Sequence, residues 1–189
     1  MSNKKLFVVI EGVDGAGKSS VLNLVVKKIN ATSIETPSGL MRKYRHLVEN
    51  AHPTIRFLYY VLANHIQSFS IRKLLRENSV ICSRFAHSTK AHHAIYGCFI
   101  ARHAPLWILA NQKPDLIFYL MVQREEREKR IYNRKNNNAK DLDSAALEKV
   151  DKTFRALPGM IHIDTTYLSA DEVSDKIIRH INARTMSSD

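Results

Sequence analysis

The sequence predicts an α/β fold, a five-stranded parallel sheet with helices on both faces and a short helical lid. Three observations carry this. Five strand-like runs, Leu6–Ile10, Ala31–Glu35, Ser79–Cys82, Leu116–Met121 and Met160–Ile163, alternate with helical patterns. Most of these runs are continuously apolar, as strands covered on both faces must be. A glycine-rich turn joins the first run directly to a helix.

Each element has a local reason. Residues 18–30 (KSSVLNLVVKKIN) repeat apolar side chains at helical spacing. Thr36-Pro37-Ser38-Gly39 ends the second strand in a turn. Helices are expected at 41–50 and at 53–77, with Pro53 as a first helical residue. After the third strand, helices are expected at 87–96 and 101–112, and Pro114 leads into the fourth strand. Residues 124–135 (REEREKRIYNRK) form a charged helix that Asn136-Asn137-Asn138 breaks. A helix at 144–156 precedes the last strand. The final helix opens on Ser169-Ala170-Asp171-Glu172, a capping-box pattern, and runs to about 183.

The chain has 189 residues and neither repeats nor long linkers, so a single domain, 1–189, is expected, with a lid at about 124–143. No apolar run approaches the ~20 residues of a membrane helix, so no membrane partner is expected. The polar start and the two cysteines, Cys82 and Cys98, point to a reducing cytoplasm without disulfides. The net charge of +11 suits polyanions. Nucleotides satisfy it; nucleic acid is the less favoured partner, because no recognition motif accompanies the charge.

Gly12-Val13-Asp14-Gly15-Ala16-Gly17-Lys18-Ser19 matches the pattern G-x-x-x-x-G-K-[ST] after a strand and before a helix. Glycines let backbone N–H groups wrap a polyphosphate, and the following helix adds the positive end of its dipole. The expected ligand is ATP or GTP with Mg²⁺. Gly12, Asp14, Gly15, Ala16, Gly17, Lys18, Ser19 and Ser20 hold it, Lys18 on the terminal phosphates and the Ser19 hydroxyl on the metal. This is the signature of a P-loop NTPase fold.

Several further stretches carry a resemblance in the same order along the chain. Phe7 to Ser20, Glu35-Thr36-Pro37-Ser38-Gly39, Val80 to Phe85, Ser88 to His93 and Pro114 to Leu120 resemble segments of the thymidylate kinases. So do the basic stretch Arg124–Lys140, Val150 with Phe154, and the last strand and helix. The resemblance implies transfer of the ATP γ-phosphoryl group to a nucleoside 5′-monophosphate, dTMP or a related pyrimidine deoxynucleotide. It implies that Arg84 grips the acceptor phosphate and that Asp14 reads the sugar. It gives the lid arginines Arg127, Arg130 and Arg134, with Arg124, to the transferring group. Pro37, Phe57, Tyr60 and His92 become acceptor-site candidates, with Phe57 or Tyr60 stacking on the base. A homodimer packed through the 53–77 helix is also implied.

The sequence departs from the family on the acceptor side. Asp-Arg-Tyr becomes Ser83-Arg84-Phe85, and Tyr-Gln becomes His92-His93. The family's arginine on the long helix has no counterpart within 61–65, where Asn64 and His65 are the nearest substitutes. The histidines at 87, 92, 93 and 103 read as surface or pocket-lining groups. Glu11, at the strand end, reads as an acceptor-site carboxylate, as a structural one, or as the general base of a nucleoside kinase acting on a free hydroxyl. An ATP-dependent nucleic-acid-binding protein is the remaining alternative.

Overall fold

All six residues of β1 (Phe7–Gly12) are buried, which places this strand at the centre of the sheet. The computed structural model describes residues 4–133 and 144–186. With β2 (Thr32–Glu35), β3 (Val80–Ser83), β4 (Leu116–Met121) and β5 (Ile161–Asp164), β1 forms one sheet in the order β2-β3-β1-β4-β5. Every neighbouring pair is parallel. The carboxyl ends of all five strands therefore share one edge, where ligands of such sheets bind.

The helices are α1 (Lys18–Ile29), α2 (Gly39–Lys43), α3 (Pro53–Leu74), α4 (Ala86–Ile95), α5 (Phe99–His103), α6 (Arg124–Tyr132), α7 (Ser144–Ala156) and α8 (Ala170–Met186). Successive β1 side chains feed opposite layers. Phe7 and Val9 pack with Phe57, Ile71, Phe85 and Cys98, whereas Leu6, Val8 and Ile10 pack with Val21, Val25, Phe154 and Ile177. Burial of each such side chain contributes about 1.5–3 kcal/mol. Among the described residues no helix is long and apolar enough to cross a membrane.

Two helical expectations need correction. The segment 41–50 holds only the end of α2 and a short 3-10 turn, Arg45–Leu47. None of its residues is buried, and a short helix without an apolar face to pack is marginal. The expected helix at 101–112 is instead α5 and a 3-10 turn at Leu106–Ile108. Pro105 drives Ala104 to an extended ψ of 123°, which ends α5. Lys90 Nζ then donates to the carbonyls of Ala101, Arg102 and Ala104. The capping box forms as expected: Glu172 N donates to Ser169 Oγ at 3.2 Å, and Ser169 N to Glu172 Oε2 at 2.8 Å.

One buried carboxylate joins the central strand to α4. Glu11 is fully buried, and its Oε1 accepts from Phe85 N at 2.9 Å and Ser88 N at 3.1 Å, while Oε2 accepts from Ser88 Oγ. These amides open α4, so Glu11 serves as its cap from a distant strand. Glu11→Ala should lower unfolding free energy by about 3 kcal/mol, because two buried amides lose a charged acceptor. Chemical denaturation measures it directly.

Candidate active site

The loop after β1 keeps its shape through glycine. Gly17 ends it at φ +88° and opens α1. Gly15, at φ +87°, lies so close to α6 that a Cβ would stand 2.7 Å from Arg127 Cγ and 3.1 Å from the Arg127 carbonyl oxygen. The absence of a side chain there is what lets α6 rest on the loop. Gly12 is buried at the end of β1 beside Leu120. Lys18 is 8% exposed; its Nζ donates to Val13 O at 2.8 Å and lies 3.7 Å from Asp14 Oδ1.

Two clefts flank this loop. One, of about 400 Å³, is lined by Gly15, Ala16, Gly17, Ser20, Arg130 and Thr165 among others. The other, of about 600 Å³, is lined by Asp14, Pro37, Tyr60, Arg84, Thr89, His92 and His93, with Arg42, Arg45 and Arg56. Asp14 lines the larger one. Its Oδ1 accepts from Arg84 Nη2 while also facing Lys18, so one carboxylate joins a cation of the loop to a cation of the cleft. Arg84 Nη1 pairs with His92 Nε2 at 3.2 Å, which fixes the guanidinium plane.

The lid arginines divide by role. Arg127 is 2% exposed and packs on Gly15; its Nη2 donates to Ser144 Oγ at 3.2 Å, and its buried Nε has no partner among the described residues. Arg130 lines the smaller cleft together with Gly15, Ala16 and Gly17. It donates to Thr165 O at 2.7 Å and Thr166 O at 3.1 Å, and pairs with Glu126 at 2.9 Å. Arg124 pairs with Glu128 and Glu148 at the surface. Arg134 lies outside the described residues.

Other expected residues land elsewhere. Glu11 faces the start of α4 and not either cleft, so it does not stand where a base or substrate ligand would. Phe57 is 2% exposed and supports His93 edge-on at 5.7 Å from below; the ring that lines the cleft is Tyr60. His65 points to the Ile108 carbonyl at 3.1 Å, away from the cleft. Asn64 is buried and donates to Thr89 Oγ1 at 3.0 Å. Ser19 is exposed on the first turn of α1, and Ser83 is buried at the end of β3. His103 packs against Phe99, and His87 is buried.

Sequence reasoning missed three arginines. Arg42 pairs with Glu35 at 3.0 Å and Arg45 with Glu49 at 2.9 Å. Arg56 donates Nη1 to Glu49 O at 3.4 Å and lies over the Tyr96 ring at 5.8 Å. Arg56 stands one helical turn before Tyr60, so i,i+4 periodicity from the aromatic would have found it.

A family model described as thymidylate kinase matches residues 10–177. The chain belongs to the thymidylate kinase family. It is 29% identical over 192 residues to the probable thymidylate kinase of Methanocaldococcus jannaschii, covering 93% of this chain and 95% of that one. It is 27% identical over 183 residues to the mitochondrial UMP-CMP kinase 2 of Homo sapiens, which covers 84% of this chain but 39% of that one. The solved thymidylate kinase of Candida albicans shares the fold at a TM-score of 0.77 and 20% identity, over 98% of this chain and 95% of the other.

Burial places two site histidines well below the ordinary 6.5. His92 is lowered to about 3, with the Arg84 charge adding to burial, and His93 to about 4, with Arg56 adding. Both are neutral when folded at neutral pH. Below pH 6.5 the unfolded chain takes up protons that the folded one refuses, so stability falls with falling pH. The loss should reach up to about 1.4 kcal/mol per pH unit for each histidine before folded protonation begins. Denaturant titrations at stepped pH check this, and His93→Gln should flatten the slope.

Proposed function

We propose that the chain transfers the ATP γ-phosphoryl group to a pyrimidine nucleoside 5′-monophosphate, dTMP in the first instance. The observation that carries this reading is the Asp14 carboxylate shared by Lys18 and Arg84. It brings a phosphate-loop lysine and a strand-end arginine to one point between two clefts, as a donor and an acceptor phosphate require. The smaller cleft takes the ATP base beside Arg130, and the larger takes the acceptor.

The chemistry needs alignment and charge neutralisation more than covalent help. Lys18 leaves the Val13 carbonyl for the terminal phosphates. The Arg84 fork suits a phosphate bidentately. Among the lid arginines we assign Arg127, which packs on Gly15 and has a buried Nε without a partner among the described residues, to the transferring group, with the 124–143 segment as the lid. The donor set fits Mg²⁺ held mainly by phosphate oxygens and water, because the hydroxyl of Ser19 is the loop's natural ligand and the ion favours few protein ligands. Bound there, the ion neutralises charge on the phosphates. The buried carboxylate of Glu11 disfavours a nucleoside kinase, which would need that group free. Both cysteines are free and buried.

The chain is also read as a homodimer through α3. Ile55, Leu58, Leu62, Ile66 and Phe69 are each 46–63% exposed at spacings of three and four, a continuous apolar stripe.

Three outcomes are expected. Lys18→Ala should abolish phosphoryl transfer with an unchanged melting temperature; retained turnover would remove the donor site. Arg84→Ala should raise KM for the monophosphate by about tenfold or more and leave KM for ATP nearly unchanged, as steady-state kinetics with each substrate varied will report. Leu62→Glu should yield a monomer by light scattering, and a wild-type chain that is itself monomeric would end the dimer reading.

A further inference from the structure

The wall of the larger cleft holds a buried polar atom without a partner among the described residues. His93 lines the cleft, is 6% exposed, and its Nδ1 has no partner among the described residues. Such an atom costs about 1–3 kcal/mol unless something meets it. The ring is held in place, with Phe57 edge-on at 5.7 Å and Tyr60 tilted at 5.1 Å. One helical turn earlier, Thr89 lines the same cleft at 5% exposure. Its Oγ1 accepts from Asn64 Nδ2 at 3.0 Å and donates to Phe85 O at 3.4 Å. Histidine and threonine thus stand four apart on one face of α4, beside the Tyr60 ring.

We propose that His93 reads the edge of the acceptor base, and that an imidazole there admits pyrimidines with an exocyclic amino group as well as those with only carbonyl oxygens. This rests on the acceptor reading above. Arg56, which lines the same cleft, can only donate, and so by itself favours carbonyl oxygens. A neutral imidazole carries one N–H and one lone pair, and its tautomer adjusts to the group it meets. Burial first, and then the positive charge of Arg56, keep the ring unprotonated. The cleft therefore accepts cytidylate and thymidylate through the same side chain.

The test compares dCMP with dTMP on the full chain, by steady-state kinetics and by calorimetric binding. In the wild type, kcat/KM for the two should differ by less than about 30-fold, the range of one hydrogen bond. His93→Phe keeps a ring between Phe57 and Tyr60 but removes both nitrogens. It should raise KM for both acceptors by about tenfold or more with KM for ATP unchanged. His93→Gln, with an amide that both donates and accepts, should restore both to near wild type and guards against a folding artefact. Wider discrimination in the wild type, or acceptor KM values unmoved by His93→Phe, would overturn the inference. Turnover of dTMP alone leaves the kinase reading standing while removing this one. Binding of both nucleotides without turnover, weakened by His93→Phe, upholds this inference and ends the kinase reading; binding of neither overturns this one.

Discussion

The larger cleft hangs on the hydrogen bonds that Glu11 accepts from the start of α4. A strand-end carboxylate has been taken out of water and matched with two amides and a hydroxyl. The geometry leaves it no freedom, since each oxygen has a designated donor. Because β1 also launches the phosphate loop, α4 and the loop share one foundation. Arg84, just before the helix, and Thr89, His92 and His93 along it inherit their positions relative to Lys18 from that link.

Above that foundation the electrostatics are economical. Lys18 and Arg84 converge on Asp14, and their mutual repulsion is offset by one half-exposed carboxylate. In the proposed reaction a phosphate arriving at either cation would compete for a charge that Asp14 already holds. Exchange of one anion for another avoids exposing bare charge at any stage, which suits chemistry governed by alignment rather than by bond-making side chains. The other acceptor-cleft arginines follow a similar rule: Arg42 and Arg45 each lean on a glutamate, whereas Arg56 leans on a carbonyl.

Local signals in the sequence proved dependable where the cause was local. The β-rich runs became five parallel strands, Pro53 opened α3, and Ser169 with Glu172 closed a capping box. The phosphate loop was legible because glycine, lysine and serine at fixed spacing have few other uses. What escaped was non-local. Nothing near Glu11 says that its partners lie more than 70 residues away. Arg56 reaches the cleft only because α3 turns it to the same side as Tyr60, four residues on. Pro105 was visible, yet the apolar pattern around it suggested one helix where backbone stereochemistry permits only two short pieces. Phe57 and Tyr60, three apart, looked interchangeable until packing put one under the histidine and the other in the cleft.

The contact of α6 with Gly15 has an implication for how this protein tolerates change. A single methyl group at that position would meet both a side-chain carbon and a peptide oxygen of Arg127. Relief would mean lifting α6, and the buried Arg127 with it, off the loop, while the new side chain also strained the backbone at φ +87°. One position thus ties the shape of the loop to the seat of the helix.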